Sequence, residues 1–522
     1  MRAGLLGAVG VVGCTALVLA GCQTSTADSP GVEATAIGTR VELAAGAIEG
    51  DVTADGAAHV YRGIPYAAPP VGELRFAPPR PVAAWEGVLE TKELSPACLQ
   101  VKRPPGSFYG PGADEIDEDC LYLNVWTAAA DASERRPVMV WIHGGGLRNG
   151  HGGVATYDGE ALARRGVVLV SINYRLGPLG FLAHPALSAA SERGISGNYG
   201  LLDQIAALEW VRDNIAAFGG DPARVTIFGE SAGSLSVSYL QASPLAAGLF
   251  HRAIGESGSA LRATPYLDRD SAQGESGHAA GVRYAAALLG EGAEATVEAL
   301  RAAPSERLLT AYRVEGVSFP SRCYVDGHFL PDTAWNIFHA GGQNDVPVIV
   351  GWNADEGPSL TGDGGPHSLD EYRAFVAETY GEDAQAFLEV YPASTAEEAR
   401  AAYLSAYGTS RFGWGARKWA ALQANVSSRS YLYFFERVPP GPQSALFGAY
   451  HAAEIPYVFD NLGRVDRPWE NADRALADLM ASYWVSFAES GDPNGAGLPE
   501  WPVYTAENDI AMAFGVEAAP RS

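Results

Sequence analysis

Six short apolar runs, separated by stretches of helical periodicity, constrain the fold of this 522-residue chain more than any other feature. They are Leu121–Trp126, Val138–His143, Val167–Asn173, Val225–Gly229, Pro347–Gly351 and Ser430–Glu436. Several are continuously apolar and β-branched rather than alternating, as strands covered on both faces must be. Between them, Leu202, Ile205, Leu208, Val211 and Ile215 recur at near-helical spacing and are stopped by Gly219-Gly220. A second helical pattern runs from Asp473 to Glu489. The alternation predicts an α/β fold, an open and mostly parallel sheet with ligands at the carboxyl ends of its strands. Residues 261–345 read as helical with no obvious strand, an insertion suited to roofing a site. No linker divides 40–522, and no internal repeat supports a solenoid or propeller.

The charge balance narrows the partners. Lys and Arg number 36 against 61 Asp and Glu, a net charge of −25. Such a surface repels phosphate backbones and anionic headgroups, which argues against nucleic-acid binding. The N-terminus reads as an address: Arg2, an apolar or small run from Ala3 to Ala20, then Leu19-Ala20-Gly21-Cys22 and the polar tract Gln23 to Pro30. This resembles the lipobox of bacterial lipoproteins, in which the cysteine is acylated and becomes the mature N-terminus. The alternative is an ordinary signal peptide cut near Ala20. The expected organisation is an address over 1–21, a flexible tether over 22–38 and one large domain over 39–522. The mature protein is expected outside the cytoplasm, on the membrane through acyl chains at Cys22 or secreted. Each acyl chain contributes roughly 0.8 kcal/mol per buried CH₂.

Of five cysteines, Cys14 leaves with the address and Cys22 is the acylation candidate. Export permits disulfides, and a Cys98–Cys120 bridge would stabilise by roughly 3 kcal/mol on chain-entropy grounds. Cys323 is then the odd one, read as a buried inert thiol. No Cys/His spacing suggests zinc, and no cofactor is expected.

The chemistry concentrates at Ser231. Val225-Thr226-Ile227-Phe228 leads directly into Gly229-Glu230-Ser231-Ala232-Gly233, followed by a helix-compatible run to Leu240. A strand-to-helix turn of this kind needs flanking glycines, because backbone crowds it, and it lifts the serine hydroxyl above the sheet. In a chain with 61 glycines the five-residue pattern alone is weak evidence; the strand before it and the helix after it carry the argument. Independently, the strand Val138–Ile142 runs into His143-Gly144-Gly145-Gly146. Successive glycines let backbone N–H groups converge on one point, as a developing oxyanion requires.

With these motifs the chain resembles the type-B carboxylesterase/cholinesterase family of α/β-hydrolases, over nearly all of 40–510. The matching stretches are Tyr61 to Ala67, Leu74-Arg75-Phe76, Glu118 to Asn124, the His143 to Gly146 loop, Asn173-Tyr174-Arg175, and Gly229 to Gly233. Asn353 to Gly357, His451 to Pro456 and Gly491 to Gly495 complete the series in the family's order. The resemblance implies Ser231 as nucleophile, Glu356 as triad acid and His451 as general base. It also implies an oxyanion hole from the N–H groups of Gly145, Gly146 and Ala232. The residues alone would nominate Asp355 as readily as Glu356; only the family pattern selects the glutamate. By resemblance Ser257 bonds the acid, with a capping serine as the alternative, and Glu230 supports the site beside the nucleophile. Arg75 with Glu118 and Arg175 with Asp203 resemble structural ion pairs, and the acidic run Asp114 to Asp119 reads as a solvated face.

The implied activity is hydrolysis of carboxylic esters through an acyl-enzyme, on a small uncharged ester. A catalytically dead adhesion or binding relative would have lost the nucleophile, which this chain retains; an interfacial lipase is the other alternative. Cholinesterases carry a tryptophan between the first two disulfide cysteines, where it meets quaternary ammonium by cation–π contact. This loop instead holds Phe108 and Tyr109, which disfavours choline esters and leaves an aromatic wall.

Overall fold

The computed structural model describes residues 36–103, 107–109 and 112–522. The address, Cys14, Cys22 and the tether up to residue 35 lie outside the described residues. The body is an eleven-stranded sheet. In chain order its strands are β1 (Asp51–Val52), β2 (His59–Pro65), β3 (Tyr122–Thr127), β4 (Arg136–Ile142) and β5 (Val168–Ile172). They continue with β6 (Gly220–Glu230), β7 (Arg252–Glu256), β8 (Val348–Asn353), β9 (Ser430–Phe435), β10 (Ala511–Phe514) and β11 (Ala518–Arg521). The spatial order is β11-β10-β9-β8-β7-β6-β4-β5-β3-β2-β1. Pairing is parallel from β5 through β10. At both edges it turns antiparallel.

The six apolar runs are six of the seven strands β3 to β9, with β7 lying among them, and the packing shows why the runs do not alternate in polarity. Val138, Val140 and Ile142 of β4 face one core layer, while Met139 and Trp141 face the other. The first layer is covered by α1 (Tyr199–Asn214), through Leu201, Leu208 and Val211, and by α2 (Ala232–Ala242), through Val237 and Leu240. α1 gives way to a short turn ended by Gly219 in the left-handed conformation (φ 77°), the expected stop. The other layer is covered by the C-terminal helix Asn471–Ser490, whose Met480, Trp484 and Phe487 pack with Trp141 and Phe228. Burying both faces of a parallel sheet is the hydrophobic solution that such strands demand.

The stretch 261–345 forms no strand of the sheet and holds α3 (Gly277–Leu289) and several shorter helices, with a local core around Tyr284, Leu288, Leu300 and Leu308. Between β8 and β9 the chain makes α4 (Ala396–Gly408), a π-helical turn (Thr409–Gly413) and α5 (Trp414–Leu422). Cys98 and Cys120 are bridged, and Cys323 is a free, buried thiol. Arg175 and Asp203 form a buried bidentate pair, with Nε–Oδ2 2.8 Å and Nη2–Oδ1 2.6 Å. Glu118, read within a solvated acidic face, is instead drawn inward by Arg75 (Nε–Oε2 2.8 Å) and by Ser305 Oγ at 2.6 Å.

Candidate active site

The site grows from the end of β6. Ser231 sits between β6 and α2 with φ 55° and ψ −116°, a conformation costly for a residue with a side chain. Its neighbours hold it there. Ser231 N–H donates to Glu256 O at 2.8 Å and Leu235 N–H donates to Ser231 O at 2.9 Å. A Cβ on Gly233 would lie 1.9 Å from Ile142 O, and one on Gly229 would lie 2.4 Å from the same oxygen. The flanking glycines are thus required by the approach of β4's last carbonyl, which is the physical content of the motif.

β4 delivers the second element. The Gly144 Cα abuts Ser231, since a Cβ there would meet the Ser231 Cβ at 3.1 Å. Gly145 and Gly146 follow at φ 104° and 65°, and Arg148 and Asn149 N–H groups donate back to Gly145 O at 3.1 and 3.2 Å. The Gly145 and Gly146 N–H groups have no acceptor among the described residues, and Ala232, first in α2, has no intrahelical acceptor for its own. Three unengaged N–H groups thus border the serine from two elements. His143 beneath them is stacked on Tyr174 at 4.4 Å and held neutral: burial pushes its imidazole down to about 3 against its bond to Gly144 O.

β8 and the chain after β9 supply the remaining pair. Glu356, fully buried, accepts Asn353 N–H on Oε1 at 2.8 Å and places Oε2 2.6 Å from His451 Nδ1. Asp355, the rival acid, is engaged elsewhere, its Oδ2 accepting Ala449 N–H at 2.8 Å. The Ser257 contact with the acid is not formed: its Oγ is buried without a hydrogen-bond partner, and Glu356 Oε1 accepts Asn353 N–H instead. Nor is Ser257 a helix cap; it holds φ 52° and donates its N–H to Gly351 O at 2.9 Å. No hydrogen bond joins Ser231 Oγ to His451 among the described residues; such catalytic contacts tighten when substrate binds.

Glu230 does more than stand beside Ser231. Its Oε1 lies 3.0 Å from His451 Nε2, without the alignment of a hydrogen bond. Burial raises the Glu230 carboxyl, with Glu356 adding to the rise and His451 opposing it. For His451 burial disfavours the charged form, but Glu230 and Glu356 outweigh it and push the imidazole above its usual value.

Two groups at the site were missed as functional candidates in the sequence. Glu256 and Glu454 are fully buried, and both carboxyls are pushed up by burial and then by each other or by Glu230. Glu256 Oε1 accepts Trp484 Nε1–H at 2.8 Å, and Glu454 Oε2 accepts Asn353 Nδ2–H at 2.5 Å. Glu454 lies inside the His451 to Pro456 stretch and Glu256 stands next to Ser257, so position was a signal and burial was not. Phe412, whose ring packs 4.7 Å from His451, had no local signal at all. The aromatic wall does form: Phe108 packs on Phe447 at 4.2 Å and on Tyr450 at 4.7 Å, while Tyr109 O–H donates to Ser359 Oγ at 2.7 Å. It leans on the turn that carries His451.

Among the described residues no group of three or more His, Cys, Asp or Glu is arranged to hold a metal ion. Comparison with known proteins supplies the remaining findings. Residues 38–520 match the profile described as Carboxylesterase family. The chain is 39% identical over 478 residues to a fumonisin B1 esterase from Sphingopyxis macrogoltabida, covering 90% of this chain and 85% of the relative. It is 36% identical to a para-nitrobenzyl esterase from Bacillus subtilis, covering 89% and 93%. A solved PNB esterase superposes with a TM-score of 0.78 at 33% identity, covering 92% of this chain and 97% of that one.

Proposed function

Because this chain belongs to the carboxylesterase family, with an α/β-hydrolase fold and ester-hydrolysing relatives along nearly its whole length, we propose that it cleaves carboxylic esters through an acyl-enzyme on Ser231. The observation that carries the assignment is the 2.6 Å bond from His451 to the buried Glu356, on the strand ends beside the strained Ser231. In this reading Ser231 Oγ attacks the ester carbonyl while His451 Nε2 accepts its proton. The carbonyl electrons move to the oxygen, which the Gly145, Gly146 and Ala232 N–H groups hold; one such donor is typically worth roughly 3–4 kcal/mol. The tetrahedral intermediate collapses, the C–O bond to the alcohol breaks, and His451 returns the proton to the departing oxygen. Water then attacks the acyl-enzyme by the same route and frees Ser231. Glu356 fixes the imidazole tautomer and stabilises the imidazolium. His143 has a structural role, stacked on Tyr174 with its Nδ1 bonded to Gly144 O.

The reading includes export with Cys22 as an acylated N-terminus, which rests on the residues around Cys22. The experiment that tests the chemistry is hydrolysis of p-nitrophenyl esters of increasing acyl length, beside Ser231→Ala. Turnover of the short esters with a loss of several orders of magnitude in the folded variant supports it. An equally active Ser231→Ala refutes the nucleophile.

A further inference from the structure

Behind the catalytic residues a row of polar side chains lies on the sheet face that the C-terminal helix covers. The parallel register sets Glu230 of β6 beside Glu256 of β7, Glu256 beside Gly351 of β8, and Gly351 beside Tyr433 of β9. Strands so paired run about 4.8 Å apart, with matched residues on one face. Phe228, Ile254, Ile349 and Tyr431, two residues earlier on each strand, all pack in the layer under that helix. Gly351 makes room for the Tyr433 ring, since a Cβ there would lie 2.3 Å from it. Trp484 of the covering helix packs on Tyr433 at 5.6 Å and donates its Nε1–H to Glu256 Oε1 at 2.8 Å. Glu454 meets the same row through Asn353, two residues beyond Gly351 on β8, whose Nδ2–H it accepts on Oε2 at 2.5 Å.

Each acid of the row, and the tyrosine, keeps a buried polar atom without a protein partner: Glu230 Oε1, Glu256 Oε2, Glu454 Oε1 and the Tyr433 hydroxyl. The cations acting on the row are His451, 3.0 Å from Glu230, and Arg103 of the disulfide loop, whose charge favours ionised Glu230. With Glu356 on its other nitrogen, His451 is thus surrounded by buried carboxyls that outnumber the positive charges. Buried like charges this close cannot all be ionised, so some of the acids keep their protons. Glu256 is the one furthest from any cation: burial and then Glu454 push its carboxyl well up, Trp484 opposes and Glu230 adds to the rise. A protonated carboxyl is a donor at one oxygen and an acceptor at the other. The Trp484 N–H fixes Oε1 as the acceptor, which leaves the proton to the unpartnered Oε2.

We propose that Glu256 is a positioning residue that stays a neutral carboxylic acid during turnover and donates its Oε2 proton to the Glu230 carboxylate, directly or through a buried water, so that the negative charge of the row settles on Glu230 opposite His451. This rests on the ester-hydrolase reading above. Glu256 touches no reacting atom and acts through Glu230, because a hydrogen bond donated to a carboxylate favours its ionised form. The ionised Glu230 in turn raises the basicity of the imidazole.

The test compares Glu256→Gln with Glu256→Met/Trp484→Phe, in which no indole N–H is left unpaired. Gln reproduces the neutral acid, an acceptor toward Trp484 and a donor at the other atom, whereas Met removes the donor. At about pH 8, where exposed carboxyls are ionised, the infrared difference between wild type and Glu256→Gln should contain the C=O stretch of a protonated carboxylic acid. The acid midpoint of kcat/KM for p-nitrophenyl acetate should stay within about 0.3 unit of wild type in Glu256→Gln and in Trp484→Phe. It should fall by about 1 unit in Glu256→Met/Trp484→Phe, because Glu230 without its donor takes up a proton at higher pH and ceases to favour imidazolium. The His451 Nδ1 proton, titrated by NMR, should shift in parallel and needs no turnover. A missing band, or a Glu256→Gln midpoint that falls as far as that of the double variant, would show Glu256 to be ionised and overturn the proposal. A double-variant midpoint within about 0.3 unit of wild type would equally overturn it, leaving Glu256 a structural group only. Absence of turnover by folded wild-type protein, with the band and the NMR shift present, overturns the ester reading and leaves the proton assignment standing.

Discussion

Replacing Glu230 with Gln probes the electrostatics of the site most directly. The imidazole of His451 is faced by Glu356 at Nδ1 (2.6 Å), by Glu230 near Nε2 (3.0 Å) and, further off, by Glu454. In the proposed mechanism only the neutral imidazole can accept the Ser231 proton, so every carboxylate that raises its pKa moves the acid limb of the rate profile to higher pH. At 3.0 Å and an effective dielectric of about 20, Coulomb's law gives about 5.5 kcal/mol, a ceiling near 4 pKa units. Glu230 falls short of that ceiling because burial pushes its own carboxyl up, and each proton it takes cancels the charge that favours imidazolium. The two groups therefore titrate as a pair in the wild type. The Gln variant keeps the shape and removes the charge. We expect the acid midpoint of kcat/KM for p-nitrophenyl acetate, followed from about pH 5 to 9 at constant ionic strength, to drop by about 1–2 units. A midpoint that stays within about 0.3 unit, or rises, would refute the claim that Glu230 sets the basicity of His451.

Three other perturbations test separate parts of the account. Gly233→Ala puts a Cβ 1.9 Å from Ile142 O; the displaced turn should cost about 100-fold in kcat/KM, and near wild-type kinetics would show the turn to be tolerant. Arg175→Met leaves Asp203 buried and unpaired, so stability should fall by about 3–5 kcal/mol in denaturant unfolding, and Arg175→Met/Asp203→Leu should recover part of it. An unchanged midpoint for the single variant would show that Asp203 finds another partner. Cys22→Ser should release the protein from membranes on fractionation, and continued membrane association would contradict acylation at that residue.

Much of the site is local in the sequence. The strand Val225–Phe228, the glycines around Ser231 and the glycine run after β4 are each specified by neighbours within a few residues. Their constraint is steric: a strand must turn into a helix beneath one carbonyl, Ile142 O, and a side chain at 233 cannot pass it. The motif order likewise named His451 and narrowed the acid to two adjacent residues. The family pattern selected Glu356 from that pair, and the fold turns the two apart, Glu356 toward His451 Nδ1 and Asp355 toward Ala449 N–H. Family likeness suggested a bond from Ser257 to the acid, but in the fold the buried Ser257 Oγ has no hydrogen-bond partner.

The periodicity of single segments determined the parallel sheet, its two covered faces, the helices on it and the Ser231 turn, because burial on both faces writes itself into local composition. Tertiary structure decided which distant residues share a field. Glu230, Glu256 and Glu454 stand on three segments that the sheet's strand order brings side by side, and burial then raises all three carboxyls. Phe412 on His451 comes from an insertion that folds back over the strand ends. No local pattern records such pairings, because desolvation and Coulomb interaction depend on distance in space, and separation along the chain carries almost none of that information.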